Sequence, residues 1–160
     1  MAIITTLANV HKNRPLKPRY AKTQATAQAV KKAATESTEL QVGMVLSRKS
    51  DGTVIVDKGS STPAGLCLTF EKEREIAGSD DVAMLVMGND AIWALDNYNS
   101  AIDSSALSTA KSTLDGGGEV LLIAASDGLL KIKGSGDSSA VPVCRLIGIE
   151  GTTLLIAGCF

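Results

Sequence analysis

VPVCRLIGIEGTTLLIAGCF, residues 141–160, reads as two apolar strands, Val143–Ile149 and Thr152–Ala157, joined at Glu150-Gly151. β-Branched and leucine-rich runs on either side of an acid-glycine pair form a hairpin signal, because glycine accepts the positive φ that a tight turn needs. The segment is long enough to be weighed as a membrane span. Against that, Arg145 and Glu150 would be costly in lipid, and Gly148, Gly151 and Gly158 interrupt the run. The stretch is therefore read as the β core of a soluble domain.

The same punctuation recurs upstream. Val42–Leu46 and Thr53–Val56 flank a turn at Ser50-Asp51-Gly52, and Glu119–Ala125 and Leu129–Lys133 flank Ser126-Asp127-Gly128. Ala64–Phe70 follows a loop over Gly59–Pro63, and Val82–Met87 and Ala91–Leu95 surround Gly88-Asn89-Asp90, again turn chemistry. Gly134–Ser139 is a loop, and Glu71–Glu75 (EKERE) is read as an exposed strand end or turn. One stretch departs from the strand rhythm. Between Asn97 and Leu114, Ile102, Ala106, Ala110 and Leu114 recur at i, i+4 and Leu107 widens the stripe, which predicts a helix capped by Asn99 or Ser100 with Asp103 in its first turn. Gly116-Gly117-Gly118 ends it; with no Lys-Ser/Thr after the glycines, they are a linker and not a phosphate cradle. The pattern is a mainly β fold, a small β-barrel or sandwich of about eight to ten strands with one helix and an N-terminal arm.

Charge separates that arm from the rest. Residues 1–34 hold seven basic residues and no acid, leaving nine basic and 17 acidic residues in the other 126, a net of −8. Such a basic arm on an acidic body suits an acidic surface or nucleic acid. Pro15 and Pro18 favour an extended chain at the start of the arm. Ala21–Ala34 has helix-forming composition, but Val30 is its only large apolar residue, so a helix there would be marginal without a partner. The expected division is an arm over residues 1–39, extended and partly helical, and a β-rich body over residues 40–160.

Little in the chain resembles catalytic machinery. The single histidine, His11, lies in the arm, away from any body serine or cysteine that it could activate. Cys67, Cys144 and Cys159 lack metal-ligand spacing and sit in apolar runs, where a free thiol behaves as a small hydrophobe and fits a reducing compartment. Aromatic residues are only 3% of the chain, so Trp93 is read as an anchor beside the core and the core as aliphatic. The same scarcity weakens a nucleic-acid reading, because single-strand binders stack bases on aromatic rings and Tyr20 is the only aromatic of the arm. The opening MAIITTLANV lacks a charged n-region and is not read as a signal peptide. No enzyme, cofactor or metal is expected.

Three stretches in order, Gly43-Met44-Val45-Leu46, Asp51-Gly52-Thr53-Val54 and Ser61-Thr62-Pro63-Ala64-Gly65-Leu66-Cys67-Leu68, together with the closing Val141-Pro142-Val143-Cys144-Arg145-Leu146-Ile147 and Gly151-Thr152-Thr153-Leu154-Leu155-Ile156, carry a resemblance. Over about residues 40–160 the chain resembles the small head decoration (capsid cement) proteins of tailed phages, in which a strand, a D-G turn and an x-P-x-G-x-x-L strand recur. It departs from them at Cys144-Arg145, where small residues are expected after the proline. The resemblance implies a β-tulip-like barrel, homotrimeric, bound to the major capsid protein on the outside of an icosahedral head that it strengthens, and hence found in the virion after assembly in the host cytoplasm. Membrane is not a partner in this reading. The capsid-contacting residues it points to are those of the arm: Lys12, Arg14, Lys17, Arg19, Tyr20, Lys22, Lys31 and Lys32. Two alternatives stand beside it: a nucleic-acid-binding module working through the arm, and another structural virion subunit such as a head-fibre base or tail component.

Overall fold

Alternation along single strands shows how the protein is layered. In Val45-Leu46, Leu66-Cys67 and Met84-Leu85, one residue of each pair joins one apolar core and its neighbour joins another. Side chains of a strand point alternately to opposite faces, so the sheet carrying these strands is buried on both sides. The computed structural model describes residues 14–20, 25–87 and 91–158, without the side chains of Tyr20, Ala25 and Thr26.

Two antiparallel sheets are formed. The six-stranded sheet has the order β1 (Leu16–Tyr20), β7 (Ile92–Leu95), β11 (Thr153–Gly158), β10 (Cys144–Glu150), β8 (Val120–Ala124) and β9 (Leu130–Ile132). The five-stranded sheet has the order β2 (Ala25–Lys31), β6 (Asp81–Met87), β5 (Pro63–Cys67), β3 (Val45–Arg48) and β4 (Val54–Val56). Val45, Leu66, Leu85 and Met87 of the smaller sheet share one core with Leu95, Leu122, Cys144, Leu146, Leu154 and Ile156 of the larger. The opposite face of the smaller sheet closes over Val30, Leu40, Met44, Leu46, Cys67, Val82 and Met84. Trp93 packs against the first core, as the sequence suggests, and Cys67 and Cys144 are buried in strands as free thiols. Burial pushes the Cys67 thiol up to about 12.

The closing hairpin forms as read. β10 and β11 pair from Cys144↔Gly158 to Glu150↔Thr153, with a register shift between Leu146 and Gly148, and Gly151 turns the chain at φ 65°. The Asp-Gly turns hold as well, with φ 84° at Gly52 and 85° at Gly128.

Four expectations are corrected. The barrel does not close. The smaller sheet curls until Lys32, just past β2, makes a parallel bridge to Val54 on β4, and that single bridge is as far as closure goes. Ala25–Lys31 is a strand and not a helix, because full-length pairing with β6, from Ala25↔Met87 to Lys31↔Asp81, outweighs its helix-forming composition. The EKERE run is a helix, α1 (Glu71–Ala77), stopped by Gly78 at φ 60°. Finally, the second helix, α2 (Ser104–Asp115), starts later than expected. Its cap is Asp103, whose carboxylate accepts the Ala106 N–H at 2.8 Å, and neither Asn99 nor Ser100 takes that role. Asp103→Ala is expected to lower the stability of the fold by about 1 kcal/mol, read from the urea midpoint, while Ser100→Ala leaves it within about 0.5 kcal/mol.

The N-terminal stretch is part of both layers. β1 runs antiparallel to β7 and β2 runs antiparallel to β6, so Leu16–Tyr20 is an edge strand of one sheet and Ala25–Lys31 an edge strand of the other. Leu16 and Val30 bury their side chains in the two cores.

Candidate capsid-contacting surface

Among the described residues, those that the sequence nominates do not gather into one basic patch. Arg14 donates to the Leu68 carbonyl at 2.9 Å and pairs with Glu73 on α1 at 2.9 Å. Arg19, on β1, pairs with Glu150 at the β10–β11 turn at 2.8 Å. Lys32 is largely covered, its side chain 10% exposed and its ammonium 2.9 Å from Glu71 and 3.0 Å from the Thr38 carbonyl. Lys17 is half-buried on β1, and Lys31 is exposed on β2. Tyr20 closes β1, its backbone opposite Ile92. Lys12 and Lys22 lie outside the described residues.

These pairs join the N-terminal stretch to the body at three separate places. The outer two are exposed, and such pairs contribute less than about 1 kcal/mol each. The inner one is different in kind. Glu71, in the first turn of α1, is 7% exposed and accepts from Lys32, from Arg74 one helical turn later, and from the Leu40 N–H. Burial alone would push its carboxyl up, but the hydrogen bonds from Arg74, Lys32 and Leu40 outweigh it and hold the group at about 2. Arg74 also reaches Asp80 at 3.6 Å, and Glu71 holds its guanidinium above the ordinary range. A carboxylate so saturated with donors serves as a structural tie and has no lone pair to spare for acid–base chemistry.

Charge counting found the basic end of each pair and missed the acidic ends. Glu71, Glu73 and Glu150 stand 39, 59 and 131 residues from their partners, beyond the reach of any local pattern. The available cue was the Glu71…Arg74 spacing followed by Gly78, a helix with its own i, i+3 pair and its stop.

A second polar tie holds the Gly59–Ser61 loop. Asp57, 1% exposed, lies 2.9 Å from the Ser47 hydroxyl and accepts the Gly59 N–H at 2.8 Å. Among the described residues no group of His, Cys, Asp or Glu is arranged to hold a metal ion, and no helix is long and apolar enough to cross a membrane.

No curated protein and no solved structure is significantly similar to the chain. The family model described as phage cement protein, however, matches residues 2–158, nearly the whole length. The match includes the N-terminal stretch as well as the two-sheet body, so the chain belongs to the phage cement protein family and is a structural protein that stabilises the phage capsid.

Proposed function

We propose that the protein is a non-enzymatic decoration protein that binds the outer surface of an icosahedral phage head, through contacts of its N-terminal arm (residues 1–39) with the major capsid protein, and that its body (residues 40–160) acts as a homotrimer. It enters the virion after synthesis in the host cytoplasm. The family match across residues 2–158 carries this reading. The charge division supports it: residues 1–34 carry seven basic residues and no acid while the other 126 carry a net of −8, so the N-terminal stretch can meet an acidic shell surface while the body stays dispersed. A trimer needs no tight single arm, because three linked contacts raise avidity by ~10² to 10⁴ over one.

Arg14, Arg19 and Lys32 are engaged by the body's own acids, so they anchor the base of the arm. Contact with the shell is assigned to the other nominated residues, among them Lys12, Tyr20, Lys22 and Lys31. The test is co-sedimentation with expanded, emptied heads of the phage that encodes the chain. The full protein is expected to pellet with the heads and to raise their rupture temperature, and its free mass is expected to be three times 16.5 kDa. Removing residues 1–13, which takes away no described strand, is expected to weaken head binding at least about tenfold and to leave the fold intact. Full-length protein that stays in the supernatant overturns the proposal. Retention of naked DNA that falls steeply with salt would move the function to the nucleic-acid reading.

A further inference from the structure

The six-stranded sheet has two faces, and the first core accounts for one of them. Leu122, Leu146, Ile156 and Leu95 point into that core, so their sequence neighbours point the other way. Across the outer face Leu121, Arg145, Ala157 and Ile92 form one row on four strands, and Leu155 stands beside Ala94. An antiparallel sheet with one face in water alternates apolar residues inside with polar ones outside. Here the outward positions of β7, β8 and β11 are apolar, apart from Thr153 at the start of β11. That is why residues 141–160 are almost continuously apolar, and it is the pattern of a sheet covered on both faces.

Both helices pack elsewhere. Ile102 and Ala110 bring α2 into the first core, and Glu71 ties α1 to Lys32 and the Leu40 N–H. The loop over residues 134–140 closes on the β9 margin, where Lys131 meets Asp137 at 2.9 Å and Lys133 reaches the Ala140 carbonyl at 2.9 Å. Towards the middle, Leu121, Leu155 and Ile92 are half-buried, and Ile147, at the register shift of β10, is 38% exposed. Charge says what kind of surface fits there. The six strands carry Lys17, Arg19, Lys131 and Arg145 against one acid, Glu150, whereas residues 35–160 as a whole carry a net of −8. Lys17 and Lys131 stand at the two edges of the outer face, with Arg145 between them.

We propose that this outer face is a second docking surface for the head, laid against an acidic patch with an aliphatic centre on the major capsid protein. The inference rests on the head-binding reading above and adds to the arm a contact made by the sheet. The capsid is the partner that membership of the cement family supplies, and a basic face on an acidic body steers towards an acidic surface. Five inter-strand spacings of about 4.8 Å by about five residues of 3.3 Å make the face roughly 24 Å by 17 Å, or about 400 Å². A standard interface buries about 800 Å² per partner, so the face supplies about half of one and the arm is left to supply the rest. Nucleic acid would meet the same cations, but the aliphatic centre gives its bases no ring to stack on. A second copy brought to the face by a two-fold axis would set these cations against themselves.

Ile147→Asp on the full chain tests it by co-sedimentation with emptied heads of the phage that encodes the protein. Binding is expected to weaken at least about tenfold, because the new carboxylate enters the apolar centre and meets an acidic partner. Ile147→Arg is expected to lose less, and the difference between the two to narrow as salt is raised. Ile76→Asp, at the 89% exposed apolar residue of α1, is the control and should bind within about twofold of wild type. Ile147→Cys in a Cys159→Ser background gives a gentler readout, since alkylation of the new thiol should slow at least about tenfold on heads. Unchanged melting profiles show that the variants are folded. Ile147→Asp that pellets like wild type, or an Ile147→Cys thiol alkylated as fast on heads as off them, overturns the proposal. Equal losses for Asp and Arg overturn the acidic partner. A changed free mass for Ile147→Asp would make the face a contact between copies, and naked DNA retained by wild type but lost by Ile147→Asp would make it a nucleic-acid surface; either result overturns it as well. Wild-type protein left in the supernatant overturns the head-binding reading itself, which the variants leave untouched.

Discussion

Glu71→Gln is expected to lower the stability of the protein by about 3–5 kcal/mol, the loss associated with removing one member of a buried ionic group. The amide keeps the volume of the side chain but leaves Lys32, 10% exposed, and Arg74, 18% exposed, without their carboxylate. At about 2–4 °C per kcal/mol for a chain of this size, the midpoint of thermal unfolding should fall by roughly 10 °C. The exposed Arg14–Glu73 pair supplies the control, since Glu73→Gln should cost less than about 1 kcal/mol. Acid gives a second readout. The folded carboxyl sits at about 2, below its ordinary 4.5, so its contribution is present in full above pH 4.5 and is lost as the pH falls from there towards 2. That gap corresponds to about 3 kcal/mol. The difference between wild type and Glu71→Gln should therefore be largest at neutral pH and shrink through this window. A variant melting within about 1 °C of wild type, or a difference that does not change with acid, would show that Glu71 is not the tie described. Because Glu71 joins α1 to Lys32 at the end of β2 and to the Leu40 N–H, its loss should also loosen the N-terminal edge of the smaller sheet, visible as faster amide exchange along Ala25–Lys31.

Much of this architecture was legible because its signals are local. The turns at Gly52, Gly128 and Gly151 need positive φ, which Asp-Gly and Glu-Gly pairs announce, and the apolar runs between them are strands. What stayed hidden depends on partners distant in sequence. Ala25–Lys31 carries helix-forming residues and becomes a strand only because Asp81–Met87 offers it a ladder. Closure of a barrel was inferred from strand count and turn spacing, but closure is decided where the last strand meets the first, and β4, at three residues, is too short to complete the seam with β2. The candidate surface divides in the same way. Charge asymmetry marked the N-terminal stretch as basic, yet Arg14, Arg19 and Lys32 each find an acid that no local window contains.

Gly65→Ala is expected to cost about 3 kcal/mol or more, at the upper end of what overpacking a core incurs. Gly65 lies in the middle of β5, opposite Leu46 of β3, in a sheet buried on both faces. A Cβ there would stand 2.5 Å from the Leu85 carbonyl oxygen and 2.7 Å from Met84 Cγ. Met84 could in principle yield, but the carbonyl belongs to the backbone of the paired strand β6 and cannot. The double variant Gly65→Ala, Met84→Ala should therefore recover little of the loss and add a cavity of its own. Gly52 separates this effect from conformational strain: its φ is 84° and nothing lies within 4 Å of an added Cβ, so Gly52→Ala should cost only about 1–2 kcal/mol. Gly128 gives the opposite contrast, because the atom in the way of an added Cβ is Cγ1 of Val56, a side chain. Val56→Ala should partly rescue Gly128→Ala where Met84→Ala fails to rescue Gly65→Ala. Urea midpoints for the five variants decide the matter, and a Gly65→Ala protein no less stable than Gly52→Ala would refute the close approach of β5 and β6. If the order holds, the Pro63-Ala64-Gly65 segment has a physical cause: proline tolerated at the strand's first position, and glycine two residues later because the neighbouring backbone leaves no room for a side chain.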